Sequence, residues 1–166
     1  MIVGIDPGAS GGIAWLSDNG HLIEVRDLPV VKVGSHTRLM PAVLAAWLLC
    51  PERRPIHAFL EDVESRPGEG HAGAFTFGRG LGNIEGVLAG IGVAVTHVRP
   101  NVWKRNLRIP KGKTPKDKGP SRARAAQLWP GLAGTFARVR DDGRAEAALI
   151  GLFGANSLHG HGSAAA

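Results

Sequence analysis

Ile2-Val3-Gly4-Ile5-Asp6-Pro7-Gly8-Ala9-Ser10-Gly11-Gly12-Ile13-Ala14-Trp15-Leu16 is the stretch on which the fold turns. A short apolar run stops at Asp6, Pro7 to Gly11 force a turn, and Gly12 to Leu16 resume as a second strand. Ser17-Asp18-Asn19-Gly20 is then a hairpin turn into a third strand, His21 to Leu28. Three hairpin-linked strands open the chain, and Asp6 sits where the first one ends.

Outward from there, Leu39, Val43, Leu44, Trp47 and Leu48 predict an amphipathic helix over Thr37 to Leu49, closed by Pro51 and Pro55. Ile56 to Leu60 predicts a strand that delivers Glu61 and Asp62 at its C-terminal end. Ser65 to Gly73 reads as a polar, Gly-rich loop, Phe75 to Gly92 as a helix, and Val93 to Val98 as another strand. Pro100 suits the first turn of a short helix through Leu107. Ile109 to Pro120 holds three prolines and four lysines and reads as an exposed flexible loop. Ser121 is placed to cap a helix through Trp129, Pro130 to Phe136 is a loop, and Asp142 to Phe153 is the last helix. The order β-β-β-α-β-α-β-α-α-α predicts a mixed α/β sheet in one domain, residues 1–155, followed by a flexible tail, 156–166.

The chain's 166 residues suit one domain, with 43% hydrophobic and 20% charged residues. That composition argues against disorder throughout. No apolar run reaches the roughly 20 residues of a membrane span, and the N-terminus lacks the basic region of a signal peptide. Cys50 stands alone and the seven histidines show no metal-ligand spacing. The expectation is a protein of the cytoplasm, with no membrane partner.

Charge is unevenly spread. Lys plus Arg is 20 and Asp plus Glu 14, yet Asn101 to Arg144 alone holds twelve bases against three acids, leaving eight against eleven elsewhere. A basic stretch beside an acidic remainder suits a polyanion, with nucleic acid the first candidate and a solvated basic face the alternative. Acids also gather. Asp6 and Glu61 each follow a strand, and Asp142 and Glu146, four apart, share one helix face. If the two strands are neighbours and the last helix crosses their ends, four carboxylates meet and repel. Two Mg²⁺ ions about 3.5–4 Å apart would resolve that repulsion, and Mn²⁺ could substitute, since oxygen-only ligands suit hard cations.

Ile5-Asp6-Pro7-Gly8, Leu60-Glu61-Asp62 and Asp141-Asp142-Gly143-Arg144-Ala145-Glu146-Ala147 together resemble the RuvC-type Holliday-junction resolvases of ribonuclease H-like fold, in particular their bacteriophage-encoded branch. The resemblance runs to about Gly154 and includes Phe75-Thr76-Phe77-Gly78-Arg79-Gly80 and Pro100-Asn101-Val102-Trp103-Lys104. It implies a sheet of three antiparallel N-terminal strands plus parallel strands, flanked by helices. It further implies a Mg²⁺-dependent crossover junction endonuclease of a bacterial or phage-infected cell, acting on four-way DNA as a homodimer. Asp6 would bridge the metals, Glu61 would bind the second, and Asp142 and Glu146 would complete the site. The family commonly spaces the last pair by three, which leaves Asp141 as a possible substitute for Asp142.

The same resemblance points to Lys104, Arg105, Lys111, Lys113, Lys116 and Lys118 as DNA contacts. Phe75 and Phe77 either stack on bases or fill the core, and Trp103 has the same two readings. Of the 24 glycines, Gly78, Gly82, Gly86 and Gly90 form one bare helix stripe, either packed on the home sheet or forming the dimer seam. Two rivals keep the fold: a broader nuclease acting on flaps, forks or hybrids, and a non-catalytic junction-binding protein. A sugar-kinase or chaperone-like ATPase shares the Gly4 to Gly8 loop but needs two such domains, more than this length provides.

Overall fold

The computed structural model describes residues 1–34, 36–63, 70–114 and 117–162, with side chains up to His159. Strands β1 (Ile2–Asp6), β2 (Gly12–Leu16) and β3 (Leu22–Asp27) form the opening antiparallel meander. A separate hairpin follows, β4 (Val30–Val33) with β5 (His36–Leu39), and then helix α1 (Pro41–Leu48). Strand β6 (His57–Glu61), helix α2 (His71–Gly90) and strand β7 (Ala94–Val98) come next. Helices α3 (Pro100–Asn106), α4 (Gly119–Leu128) and α5 (Asp142–Gly162) complete the chain. The main sheet runs β3-β2-β1-β6-β7, with β1–β6 and β6–β7 parallel.

Both faces of β1 and β2 are buried, as expected of central strands covered by helices on each side. Side chains alternate between two cores. Ile2, Ala14, Leu16 and Phe59 pack with Trp103, Ala145 and Ala147 to Ile150, whereas Val3, Ile5, Ile13, Trp15, Ala58 and Leu60 pack with Leu44, Leu48, Ile84 and Leu88. The parity decides the site. Asp6 follows Ile2 and Gly4 in register, and Glu61 follows Phe59, so both belong to the face covered by α5.

Backbone holds that face closed. A Cβ at Gly4 would overlap the Ala147 carbonyl and the Gly151 amide, and one at Gly12 would overlap the Gly143 carbonyl. Gly11 and Gly143 form an isolated parallel bridge. Helix α5 therefore lies directly on β1 and β2, nearer than any side chain would allow.

Four expectations are corrected. Thr37 to Leu39 belong to β5, not a helix, because Gly34 (φ 60°) turns the chain back and Pro41 fixes the helix start. Ser121 lies inside α4, which starts at Gly119, and does not cap it. Pro130–Phe136 is a 3₁₀ turn. Helix α5 runs past its expected end at Phe153 into the expected tail, where His159 donates from Nε2 to the Asp18 carbonyl. Among the described residues no helix is long and apolar enough to cross a membrane.

Candidate active site

Parallel pairing of β1 with β6, Ile5 opposite Leu60, sets Asp6 and Glu61 at the same sheet end. The α5 seam adds Glu146. All three carboxylates are buried, at 5%, 6% and 1% exposure, where unpaired charge is costly. Two lysines enter from separate elements. Lys118 Nζ lies 3.5 Å from Asp6 Oδ2 and pairs with Glu146 Oε2, and Lys104 Nζ lies 2.8 Å from Glu146 Oε1. Neutral donors fix the rest: Trp103 Nε1 donates to Glu61 Oε1 at 3.1 Å, Ser121 Oγ to Glu146 Oε1 at 3.2 Å, and the Gly8 amide to Asp6 Oδ1 at 3.3 Å.

The three acids titrate apart for visible reasons. Burial would raise Glu146, but Lys118 and Lys104 together hold it below the usual carboxylate range. Asp6 is pushed up by burial, which Lys118 offsets only partly, with Glu146 adding to the rise. Glu61 is pushed up to about 7 by burial first and then by Asp6 and Glu146, because its nearest donor is a neutral indole. Two ammonium groups thus face three acids, and the uncompensated charge settles on Glu61. Burial works against the Lys118 ammonium, yet Asp6 and Glu146 overcome it and raise the group.

The other expected acids are held by arginines. Asp142 is paired with Arg122 of α4. Asp141 is buried in the turn before α5, where Arg138 holds its carboxyl below the usual range and Arg144 approaches at 3.8 Å. The structure therefore brings Asp6, Glu61 and Glu146 together, with Asp142 turned to Arg122 and Asp141 to Arg138. Among the described residues no group of three acidic, histidine or cysteine side chains is already arranged around one metal position.

A groove of about 690 Å³ adjoins the cluster, lined in part by Lys104, Arg105, Lys111 and Lys113. Asp117 braces its rim by accepting from the Lys113 and Gly119 amides. Lys116 lies outside the described residues. Phe75 is 72% exposed and so is not core, whereas Phe77 is half-buried. Nothing lies within 4 Å of a Cβ built at Gly78, Gly82, Gly86 or Gly90, which rules out packing of the stripe on the home sheet. Trp103 is fully buried, which removes base stacking as its role.

Two partners escaped the sequence reading. Ser121 looked like a helix cap, and Trp103 carried no spacing that tied it to Glu61, 42 residues away. Lys118 stood out only as one lysine of a cluster.

No protein-family model matches the chain. Over 124 residues, 73% of this chain, it is 32% identical to the chloroplastic Holliday junction resolvase of Chlamydomonas reinhardtii. The match spans only 14% of that relative's length. Among solved structures, RuvC of T. thermophilus in complex with a Holliday junction substrate superimposes with a TM-score of 0.56 at 19% identity, covering 96% of each chain. A second Thermus thermophilus RuvC structure gives the same TM-score and coverage at 21% identity. The fold is the RuvC variant of the ribonuclease H-like fold. The chain thus has the fold of RuvC and is similar in sequence to a Holliday junction resolvase.

Proposed function

We propose that this chain is a structure-selective endonuclease that resolves four-way DNA junctions by paired, symmetric phosphodiester hydrolysis. The observation that carries the reading is the buried trio Asp6, Glu61 and Glu146, one positive charge short, beside a basic groove. The relative named a Holliday junction resolvase and the RuvC solved with a junction support the substrate.

The donor set fits hard divalent cations: it is all oxygen, and a lysine ammonium already stands between Asp6 and Glu146 as a cation would. Asp6, Glu61 and Glu146 would hold two Mg²⁺ or Mn²⁺ ions, with Asp142, one helical turn before Glu146, joining them when Arg122 releases it. Bound ions supply an activated water and charge stabilisation for the leaving oxygen.

The chain's own residues do the remainder. Trp103 fixes the carboxylate plane of Glu61 and Ser121 that of Glu146, so the acids are oriented before substrate arrives. Lys104 and Lys118 neutralise the cluster in the free protein and can turn to the scissile phosphate. Arg105, Lys111 and Lys113, with Lys116, track the backbone of the same strand. Phe75 stacks on bases opened at the crossover. The bare face of α2 seats a second copy, and a two-fold dimer presents two sites to two symmetric strands. The cytoplasm of a bacterial or phage-infected cell is the setting this reading assigns.

The experiment is cleavage of a synthetic four-way junction and a matched linear duplex, with Mg²⁺ and with EDTA. Junction-selective paired nicks that need Mg²⁺ are expected. Equal cleavage of both substrates would replace the reading with a broader nuclease, and junction binding without cleavage would replace it with an inactive binder.

A further inference from the structure

A second cavity, of about 380 Å³, lies across the Asp6 turn from the basic groove, between Pro7-Gly8, the β4–β5 hairpin and the first half of α2. The volume lies in the range of ligand pockets. Its floor is apolar: Leu28 and Ile84 are buried, and Phe77 adds an aromatic wall. Asn83 presents an amide, Arg38 and Arg79 contribute guanidinium groups, and among the described residues no acidic side chain lines the space. Among the described residues, the side chains of Asn83, Arg38 and Arg79 make no hydrogen bond or ion pair.

The cavity shares a wall with the carboxylate cluster. Gly8 lines it and also donates its amide to Asp6, which places the cavity beside the end of β1 that carries Asp6. An apolar floor with an aromatic edge accepts the face of a nucleobase. A carboxamide carries both donors and an acceptor and can read a base edge, and guanidinium groups suit the adjoining phosphates. The Arg38 and Arg79 guanidinium groups favour an anionic ligand. Paired bases cannot enter such a space, whereas nucleotides opened at a crossover can.

We propose that this cavity receives one unpaired nucleobase flanking the cut, with Asn83 as its specificity-determining residue; this rests on the nuclease reading above. The basic groove then supplies affinity without sequence preference, and this cavity supplies the preference.

The test uses the full chain on four-way junctions in which nucleotides within two positions of the cut carry each of the four bases or an abasic site. Cleavage rates are measured with Mg²⁺, and dissociation constants separately in EDTA. The wild type is expected to discriminate among bases by about tenfold at one such position, and to bind the abasic junction about tenfold more weakly. Asn83→Leu, checked for an unchanged thermal midpoint, compresses the spread to within about threefold. Asn83→Ala does the same should the Leu variant fold poorly. Equal rates on all bases, or a preference that survives both variants, overturns the proposal. Should no junction be cleaved at all, the nuclease reading fails instead, and the abasic binding difference still decides for or against the cavity.

Discussion

Two rows of glycines in this molecule sit in opposite surroundings. Gly4, Gly12, Gly143 and Gly151 lie where α5 meets the sheet, and a Cβ at Gly4, Gly12 or Gly143 would strike backbone atoms while one at Gly151 would strike the Leu16 side chain. Gly78, Gly82, Gly86 and Gly90 lie along α2, and a Cβ on any of them would meet open space. The first row is explained within the chain, because without it Glu146 could not reach Asp6. Among the described residues nothing packs against the second. Each of its glycines costs about 1 kcal/mol of helix stability against Ala, a cost that makes sense for a surface reserved for another backbone.

The comparison breaks most easily at the seam. Gly4→Val places a branched Cβ against the Ala147 carbonyl and Gly151 amide, and neither can give without moving the helix. Loss of about 4 kcal/mol or more is expected, read as a collapse of the urea midpoint together with cleavage. A wild-type midpoint would show that α5 does not press on β1 as described.

The second row should respond with the opposite sign. Gln is a far better helix former than Gly, so Gly82→Gln with Gly86→Gln should leave the fold intact or stabilise it by about 1 kcal/mol, while blocking close approach by a second copy. Sedimentation velocity should then show dimer giving way to monomer. A fall in stability with no change in mass would mean that the stripe packs inside the chain after all.

What was legible in the sequence divides along similar lines. Strand ends and their parity follow from local patterns, so Asp6 and Glu61 could be named from Ile5-Asp6-Pro7-Gly8 and Leu60-Glu61 alone. The recurrence of glycine every fourth residue identified one face of α2, but periodicity cannot say what that face meets. Thr37 to Leu39 were misread because Leu39 extends the helical spacing of Val43 and Leu44, while pairing with Val30 depends on a turn at Gly34. The contacts that depend on how α3 and α4 pack left no trace. Asp142 shares a helix face with Glu146, as its spacing says, yet Arg122 from α4 takes its carboxylate. Trp103 and Ser121 reach the acids only because α3 and α4 pack beside α5.

The central claim is that the buried acids perform the chemistry while separate basic surfaces hold the DNA. Asp6→Asn tests it most directly, because it removes a charge from the cluster and leaves the groove of Lys104, Arg105, Lys111 and Lys113 in place. The measurement is four-way junction cleavage in Mg²⁺ beside junction affinity in EDTA. The account predicts a rate at least about a hundredfold lower with affinity within about threefold of wild type. Cleavage near the wild-type rate would contradict it.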